Sequence, residues 1–127
     1  MLALSGELGA GKTQLAKGVA EGLGVTSVVN SPTFVLMNEH EGRLRMHHID
    51  AYRLADPEEA IDAGLLDDRE TAGMTVIEWA DRLEGWLPAE RLDIQLVAGV
   101  GPMERTVSWV ALGAAHAQLA AEALDAL

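Results

Sequence analysis

A glycine-rich stretch near the start of the chain, Gly6 to Thr13, constrains the fold more than any other feature. Its sequence, Gly-Glu-Leu-Gly-Ala-Gly-Lys-Thr, fits the G-x-x-x-x-G-K-[ST] pattern of a phosphate-binding loop. A short apolar run, Met1 to Leu4, precedes it, and a helix-like segment, Lys12 to Leu23, follows it. In this order, backbone N–H groups and a helix N-terminus converge on phosphate oxygens. We therefore predict that the chain binds a nucleoside triphosphate.

The side chains of this loop have separate predicted roles. Lys12 reaches the terminal phosphates, and the Thr13 hydroxyl binds Mg²⁺. The other candidate nucleotide-binding residues of the loop are Glu7, Leu8, Gly9, Ala10, Gly11 and Gln14. The competing interpretation is a glycine-rich turn before an ordinary helix, and the strand and helix around the loop disfavour it. GTP is disfavoured as the nucleotide, because the sequence contains no Asn-Lys-x-Asp run to read guanine.

Length, charge and composition exclude several other classes of protein. With 127 residues, the chain is expected to form one domain over residues 1–127. Its formal net charge of −11 argues against tight direct binding to DNA or RNA, which requires a basic surface. There are no cysteines, so disulfides and thiolate metal sites are excluded. No charged-then-apolar leader opens the chain, and no apolar stretch approaches the roughly 20 residues of a membrane span. A cytoplasmic location is expected.

The remaining pattern predicts an α/β fold that contains two antiparallel strand pairs. The first pair is a hairpin around Glu41-Gly42-Arg43, and a turn at Gly99 to Pro102 joins the second. Asp56 and Pro57 begin a short helix, with Glu59 in capping-box position. The strands are predicted at residues 34–39, 44–49, 74–77, 92–97 and 106–112, and a last helix at 114–127.

Two of these strands end in a carboxylate, which phosphoryl transfer requires in addition to the loop. Glu78 follows Met74 to Ile77, and Asp50 follows Met46 to Ile49. Carboxyl ends of strands beside a phosphate loop face the ligand crevice of an open α/β sheet. Glu78 follows the more apolar run, so we assign it to Mg²⁺, directly or through water. Asp50 is then the candidate for orienting the attacking water or a Mg²⁺-bound water. The alternative for both is a solvated strand end or a helix N-cap.

Four further residues are weaker candidates. Ser31 and Thr33 flank a proline on a loop that follows the first helix, as a loop that senses the γ-phosphate would. An ordinary turn is the alternative for this loop. Arg53 is either a group that stabilises transition-state charge or a surface arginine. Trp79 lines the nucleotide pocket, contacts a partner or packs in the core.

A zinc or iron site at the adjacent histidines is disfavoured. His48 and Asp50 share one face of an extended strand, whereas His47 points to the other. No third ligand of suitable spacing appears in the sequence.

Four sequence blocks together resemble the bacterial TsaE (YjeE) family of small P-loop ATPases, which are needed to make threonylcarbamoyladenosine in tRNA. Order and spacing agree from Met1 to about Arg105. The blocks are Gly6 to Thr13, Ser31-Pro32-Thr33-Phe34, His48-Ile49-Asp50-Ala51-Tyr52-Arg53-Leu54 and Glu78-Trp79.

The resemblance implies a P-loop NTPase-like three-layer sandwich with a mixed parallel and antiparallel sheet. It implies that Thr13 and Glu78 hold Mg²⁺, that Lys12 and the loop amides hold the phosphates, that Asp50 is needed for hydrolysis, and that Trp79 lies beside the site. It also implies a weak ATPase that works with the TsaD–TsaB pair, in which TsaD transfers the threonylcarbamoyl group. Family members usually carry a further strand and helix before the P-loop strand. This chain begins almost on that strand, so we expect these two elements to be missing.

Two other functions remain open at the level of sequence. One is a nucleotide-dependent interaction module without significant hydrolysis, in which ATP only orders the Ser31–Phe34 loop for a partner. The other is a small-molecule phosphotransferase, which needs a lid or an arginine-rich substrate pocket. The nine scattered basic residues provide little for either a lid or an arginine-rich pocket.

Overall fold

The architecture comes from a computed structural model, which describes residues 1–30, 37–64, 66 and 73–125. The elements along the chain are β1 (Leu2–Gly6), α1 (Lys12–Gly22), β2 (Met37–His40), β3 (Met46–Asp50), α2 (Pro57–Asp62), β4 (Met74–Glu78), a 3-10 helix (Ala80–Leu83), β5 (Arg91–Ala98), β6 (Arg105–Leu112) and α3 (Ala114–Asp125). The short 3-10 helix was not anticipated from the sequence.

Within the described residues, six strands form one sheet in the order β2-β3-β4-β1-β5-β6. The four central strands are parallel to one another, whereas β2 and β6 pair antiparallel with β3 and β5 at the two edges. The two predicted antiparallel pairs are therefore confirmed. The strand that leads into the glycine loop, β1, lies at the centre of the parallel part, between β4 and β5.

Alternate residues of the strands pack against opposite layers of helix. On one face, Leu4 and Val76 join a core with Ala16 and Ala20 of α1. On the other face, Ile49 and Ile77 form a second core together with α2 and the 3-10 helix. Helices thus cover both faces of a mixed sheet, and the expected three-layer α/β arrangement is confirmed.

A glycine ends α1, and a carboxylate caps α2. Gly24 ends α1 with a left-handed φ of 74°, and its N–H donates to the Glu21 carbonyl oxygen at 3.0 Å. The Asp56 carboxylate caps α2, but it accepts from the N–H of Glu58 at 2.9 Å rather than from Glu59, the residue in capping-box position.

Several predictions fall on residues outside the described part. They are Ser31, Thr33, the first half of the strand predicted at 34–39, and the end of the helix predicted at 114–127. In the described ranges, no helix is both long and apolar enough to cross a membrane.

Candidate active site

The glycine loop between β1 and α1 depends on two backbone features that only glycine accommodates well. Gly11, directly before α1, has a left-handed φ of 110°. Gly6 lies so close to β5 that an added Cβ would be 2.6 Å from the Leu96 carbonyl oxygen. The loop therefore passes tightly over the carboxyl end of the sheet and enters the helix at Lys12.

Lys12 is folded back onto its own loop. Lys12 is only 4% exposed. Its Nζ donates to the carbonyl oxygens of Gly6 at 2.7 Å and Glu7 at 2.9 Å. The same ammonium lies 3.8 Å from the centroid of the Trp79 ring, within cation–π distance. The amine is thus held at the mouth of the loop by neutral groups that a phosphate can replace.

Burial and charge act in opposite directions on this amine. Loss of solvent lowers the pKa of Lys12 below its ordinary value of 10.5, because burial penalises the charged form. The carboxylates of Glu78, Asp81 and Asp50 oppose this shift by stabilising the ammonium. Three acidic groups therefore face the one lysine of the loop.

Glu78 is the centre of a buried hydrogen-bonded chain. The Thr13 hydroxyl donates to Oε1 of Glu78 at 2.6 Å, and Nε2 of His48 lies 2.5 Å from Oε2. Glu78 is 2% exposed and His48 is fully buried. Since a carboxylate only accepts hydrogen bonds, this contact requires the proton of the imidazole on Nε2. Both oxygens of Glu78 are therefore oriented by neighbouring side chains.

The second strand-end carboxylate, Asp50, lies directly beside Glu78. The two residues are register partners at the ends of the parallel strands β3 and β4, so their side chains share one face of the sheet. The N–H of Tyr52 donates to Oδ1 of Asp50 at 2.9 Å. The two strand-end carboxylates are thus adjacent at the carboxyl end of the sheet, where the phosphate loop also lies.

Trp79 turns the chain sharply just after Glu78. It has left-handed dihedral angles, φ 58° and ψ 42°, which cost a non-glycine residue about 1–3 kcal/mol. Its ring contacts both the Lys12 ammonium and the Tyr52 ring, whose centroid is 4.8 Å away. Trp79 is half-buried: it lines the clefts beside the loop and also packs against the second core.

Nearly all of the predicted site residues line two adjoining clefts. The first is lined by Leu8, Gly9, Gly11, Lys12, Thr13, Gln14, Asp50, Tyr52, Glu78 and Trp79. The second lies against another side of the loop, where its lining includes Glu7, Ala10 and again Trp79. Arg53 is exposed, lines neither cleft and makes no hydrogen bond within the described ranges, and Ser31 and Thr33 lie outside them.

The donor atoms of the site suit Mg²⁺. This ion prefers hard oxygen ligands and usually takes one or two from the protein, with water and phosphate oxygens completing its shell. Thr13 Oγ1 and Glu78 Oε1 are such oxygens, and they already lie 2.6 Å apart. The site therefore fits a magnesium ion that arrives with a nucleotide.

Sequence reasoning gave His48 no role toward Glu78, and Tyr52 no role beside Trp79. Strand alternation places His48 on the face of Asp50, two residues away, and this was a usable signal. It did not identify Glu78 as the acceptor, because His48 and Glu78 are 30 positions apart and meet only through the pairing of β3 with β4.

Comparisons with known proteins agree with one another. The family model described as "Threonylcarbamoyl adenosine biosynthesis protein TsaE" matches residues 1–107. The tRNA threonylcarbamoyladenosine biosynthesis protein TsaE of Bacillus subtilis is 43% identical over 96% of this chain and 76% of the relative. The protein of the same name from Treponema pallidum is 41% identical over 85% of this chain and 81% of its own length. The crystal structure of Bacillus subtilis YdiB superposes with a TM-score of 0.74 at 37% identity, covering 95% of this chain and 74% of that one.

Proposed function

The chain belongs to the TsaE family, and on that premise we propose that it binds and hydrolyses ATP with Mg²⁺ as an accessory protein of tRNA threonylcarbamoyladenosine synthesis. One observation carries the proposal. The paired strand ends bring Asp50 and Glu78 side by side opposite Lys12 and Thr13 of the phosphate loop. This is the set of charges and oxygen donors that phosphoryl transfer needs.

Each of these residues has a distinct part in binding. The ammonium of Lys12 exchanges the carbonyl oxygens of Gly6 and Glu7 for phosphate oxygens, which bind a cation more strongly than neutral acceptors do. Thr13 and Glu78 would hold Mg²⁺, which would supply positive charge to the β- and γ-phosphates. The buried His48 imidazole holds the Glu78 carboxylate in place through its contact with Oε2.

Asp50 is the group that we assign to the attacking water. Its carboxylate is oriented by the Tyr52 N–H and lies beside Glu78 at the carboxyl end of the sheet. A carboxylate in this position accepts a hydrogen bond from water and aims its oxygen lone pair. Hydrolysis to ADP and phosphate follows when that water lies in line with the γ-phosphate.

We further propose that intrinsic turnover is weak and that the TsaD–TsaB pair stimulates it in the cytoplasm. The Lys12 ammonium is occupied by internal hydrogen bonds to the Gly6 and Glu7 carbonyl oxygens, which must break before it serves the nucleotide. A partner that favours the open arrangement would raise the rate. The acidic chain, with a net charge of −11, suits docking on another protein while that partner handles the tRNA.

Product analysis separates this proposal from its alternatives. The protein is incubated with Mg²⁺ and ATP, and ADP and inorganic phosphate are quantified against a Lys12→Ala blank. Equal amounts of ADP and phosphate above the blank support hydrolysis. ADP without inorganic phosphate, in the presence of candidate small-molecule acceptors, would instead identify a phosphotransferase. Bound ATP with neither product, with or without partners, would identify an interaction module.

A further inference from the structure

The side chain of Arg105, at the start of β6, reaches across to the phosphate loop. Nε donates to the Ala10 carbonyl oxygen at 2.9 Å, and Nη2 donates to that of Gly9 at 3.3 Å. Nη1 donates to the carbonyl oxygens of Pro102 at 3.2 Å and Glu104 at 2.7 Å in the preceding turn. Among described residues, all of its hydrogen bonds therefore go to main-chain oxygens, and they join the β5–β6 turn to the loop.

The turn that provides this anchor is itself held by hydrogen bonds. The Gly99 N–H donates to the Glu104 carbonyl oxygen at 2.8 Å, and the Glu104 N–H donates to that of Gly101 at 3.2 Å. Arg105 thus connects the loop to a closed turn at the end of a long antiparallel strand pair. Such an anchor restrains the loop more than contact with a mobile side chain would.

Planarity of the peptide bond carries this restraint to the phosphate side of the loop. A carbonyl oxygen and the N–H of the next residue point in opposite directions. Holding the Ala10 oxygen therefore directs the Gly11 N–H away from the guanidinium. The Ala10 N–H, opposite the held Gly9 oxygen, donates to the Glu7 carbonyl oxygen at 3.0 Å and closes the loop. Gly11, at φ 110°, offers little steric resistance to rotation of these peptides.

We infer that Arg105 is a positioning residue that holds the loop so that the Gly11 N–H points toward the nucleotide phosphates. This inference rests on the proposed function, since it specifies how the same loop is prepared for binding. Arginine suits the task because its planar guanidinium carries five N–H donors in a fixed fork, whereas lysine has a single ammonium. The guanidinium acts through the backbone and not as a ligand of the phosphates.

Calorimetric titration with ATP and with ADP tests the inference. Arg105→Met is expected to weaken both nucleotides by a similar factor, about tenfold or more, and Arg105→Lys is expected to restore little of the loss. Arg91→Met is the matched control. Arg91 begins β5 and donates to Asp93 Oδ1 and the Pro88 carbonyl oxygen, both at 2.7 Å, without touching the loop. Its variant should bind within about twofold of wild type.

Two results would overturn the inference. One is an Arg105→Met variant that binds within about twofold of wild type. The other is a loss confined to ATP and restored by Arg105→Lys, which would make Arg105 a direct phosphate ligand. Circular dichroism and thermal unfolding without nucleotide confirm that each variant folds, and Arg105→Gln replaces Arg105→Met if that variant does not.

A second readout does not require nucleotide binding at all. Amide hydrogen exchange of Ala10, whose N–H donates to the Glu7 carbonyl oxygen at 3.0 Å within the loop, should be faster in the free Arg105→Met protein and unchanged in Arg91→Met. Unchanged exchange in both would refute the positioning role, whatever the affinities. Failure of the wild-type protein to bind ATP would refute the proposed function instead, and the exchange experiment would still decide the role of Arg105.

Discussion

Nε2 of His48 lies 2.5 Å from Oε2 of Glu78, and both side chains are buried beneath the phosphate loop. Thr13 engages the other carboxylate oxygen at 2.6 Å. The candidate magnesium ligand is therefore oriented from two sides by the protein alone. Orientation in advance lowers the cost of assembling the site when a nucleotide binds.

Loss of the His48 imidazole should destabilise the protein beyond the effect of a cavity. In His48→Ala, Oε2 of Glu78 stays buried without its partner, which costs about 1–3 kcal/mol in addition to the lost packing. Urea denaturation measures the free energy of unfolding. His47→Ala is the matched control, because His47 is also buried and its ring makes no hydrogen bond among the described residues. Its Nδ1 lies 3.5 Å from Glu39 Oε1, but that carboxylate is exposed and stays solvated when the ring is removed. Equal losses in the two variants would show that the contact with Glu78 contributes nothing.

Removal of the Lys12 ammonium should weaken nucleotide binding by roughly tenfold or more, the equivalent of about one charge-assisted contact. Calorimetry with ATP on Lys12→Ala measures the effect. The chain has one other lysine, Lys17, which is exposed on α1 and supplies the control Lys17→Ala. Unchanged affinity in Lys12→Ala would refute the assignment of the phosphate loop.

The Mg²⁺ dependence of binding should disappear in Glu78→Gln, which keeps the shape of the side chain and removes its charge. We expect Mg²⁺ to tighten ATP binding by the wild-type protein. The control variant Glu21→Gln, which changes an exposed residue of α1, should behave in the same way. The measurement is ATP affinity with Mg²⁺ and with EDTA for all three proteins. A wild-type protein that binds ATP equally in both conditions has no magnesium site at Glu78.

Local sequence signals located the part of the site that lies within short stretches of chain. The glycine loop and the carboxylates at the ends of β3 and β4 follow from patterns of a few residues. Contacts that depend on strand pairing were not predictable in this way. The bonds from Arg105 to the loop span 95 and 96 positions, and they exist because β6 pairs with β5 at the edge of the sheet.

The backbone conformation after Glu78 was also not predictable from the sequence. Trp79 adopts a left-handed conformation that propensities disfavour, and tertiary contacts with Lys12 and Tyr52 accompany it. The chain that follows Glu78 therefore forms a 3-10 helix that the sequence did not indicate. The predictions for Ser31 and Thr33 stay predictions, because both residues lie outside the described ranges.

Buried His40 should make stability depend on pH. The pKa of His40 is lowered below its ordinary value of 6.5. Burial is the larger cause, and the proximity of His48 is the second. The unfolded chain then binds more protons between the two pKa values, so the free energy of unfolding decreases as pH falls through 6.5 toward the lowered value. His40→Gln should flatten this decrease in urea denaturation series between about pH 7 and pH 5.

A residual slope is expected in that variant. The pKa of His116 is also lowered, by burial first and by the N-terminal amine second, with Glu90 opposing the shift. The double variant with His116→Gln should therefore be flatter than His40→Gln. Parallel pH profiles for wild type and His40→Gln would show that His40 does not titrate differently on folding.

Steady-state ATP hydrolysis, alone and with the TsaD–TsaB pair, tests the central claim most directly. Wild type, Asp50→Asn and Lys12→Ala are compared, and ATP affinity is measured in parallel. The account predicts slow turnover by the wild type alone, stimulation by the pair, and loss of turnover in Asp50→Asn with ATP still bound. Wild-type protein that binds ATP but shows no turnover with the pair, or Asp50→Asn that hydrolyses ATP at the wild-type rate, would contradict it.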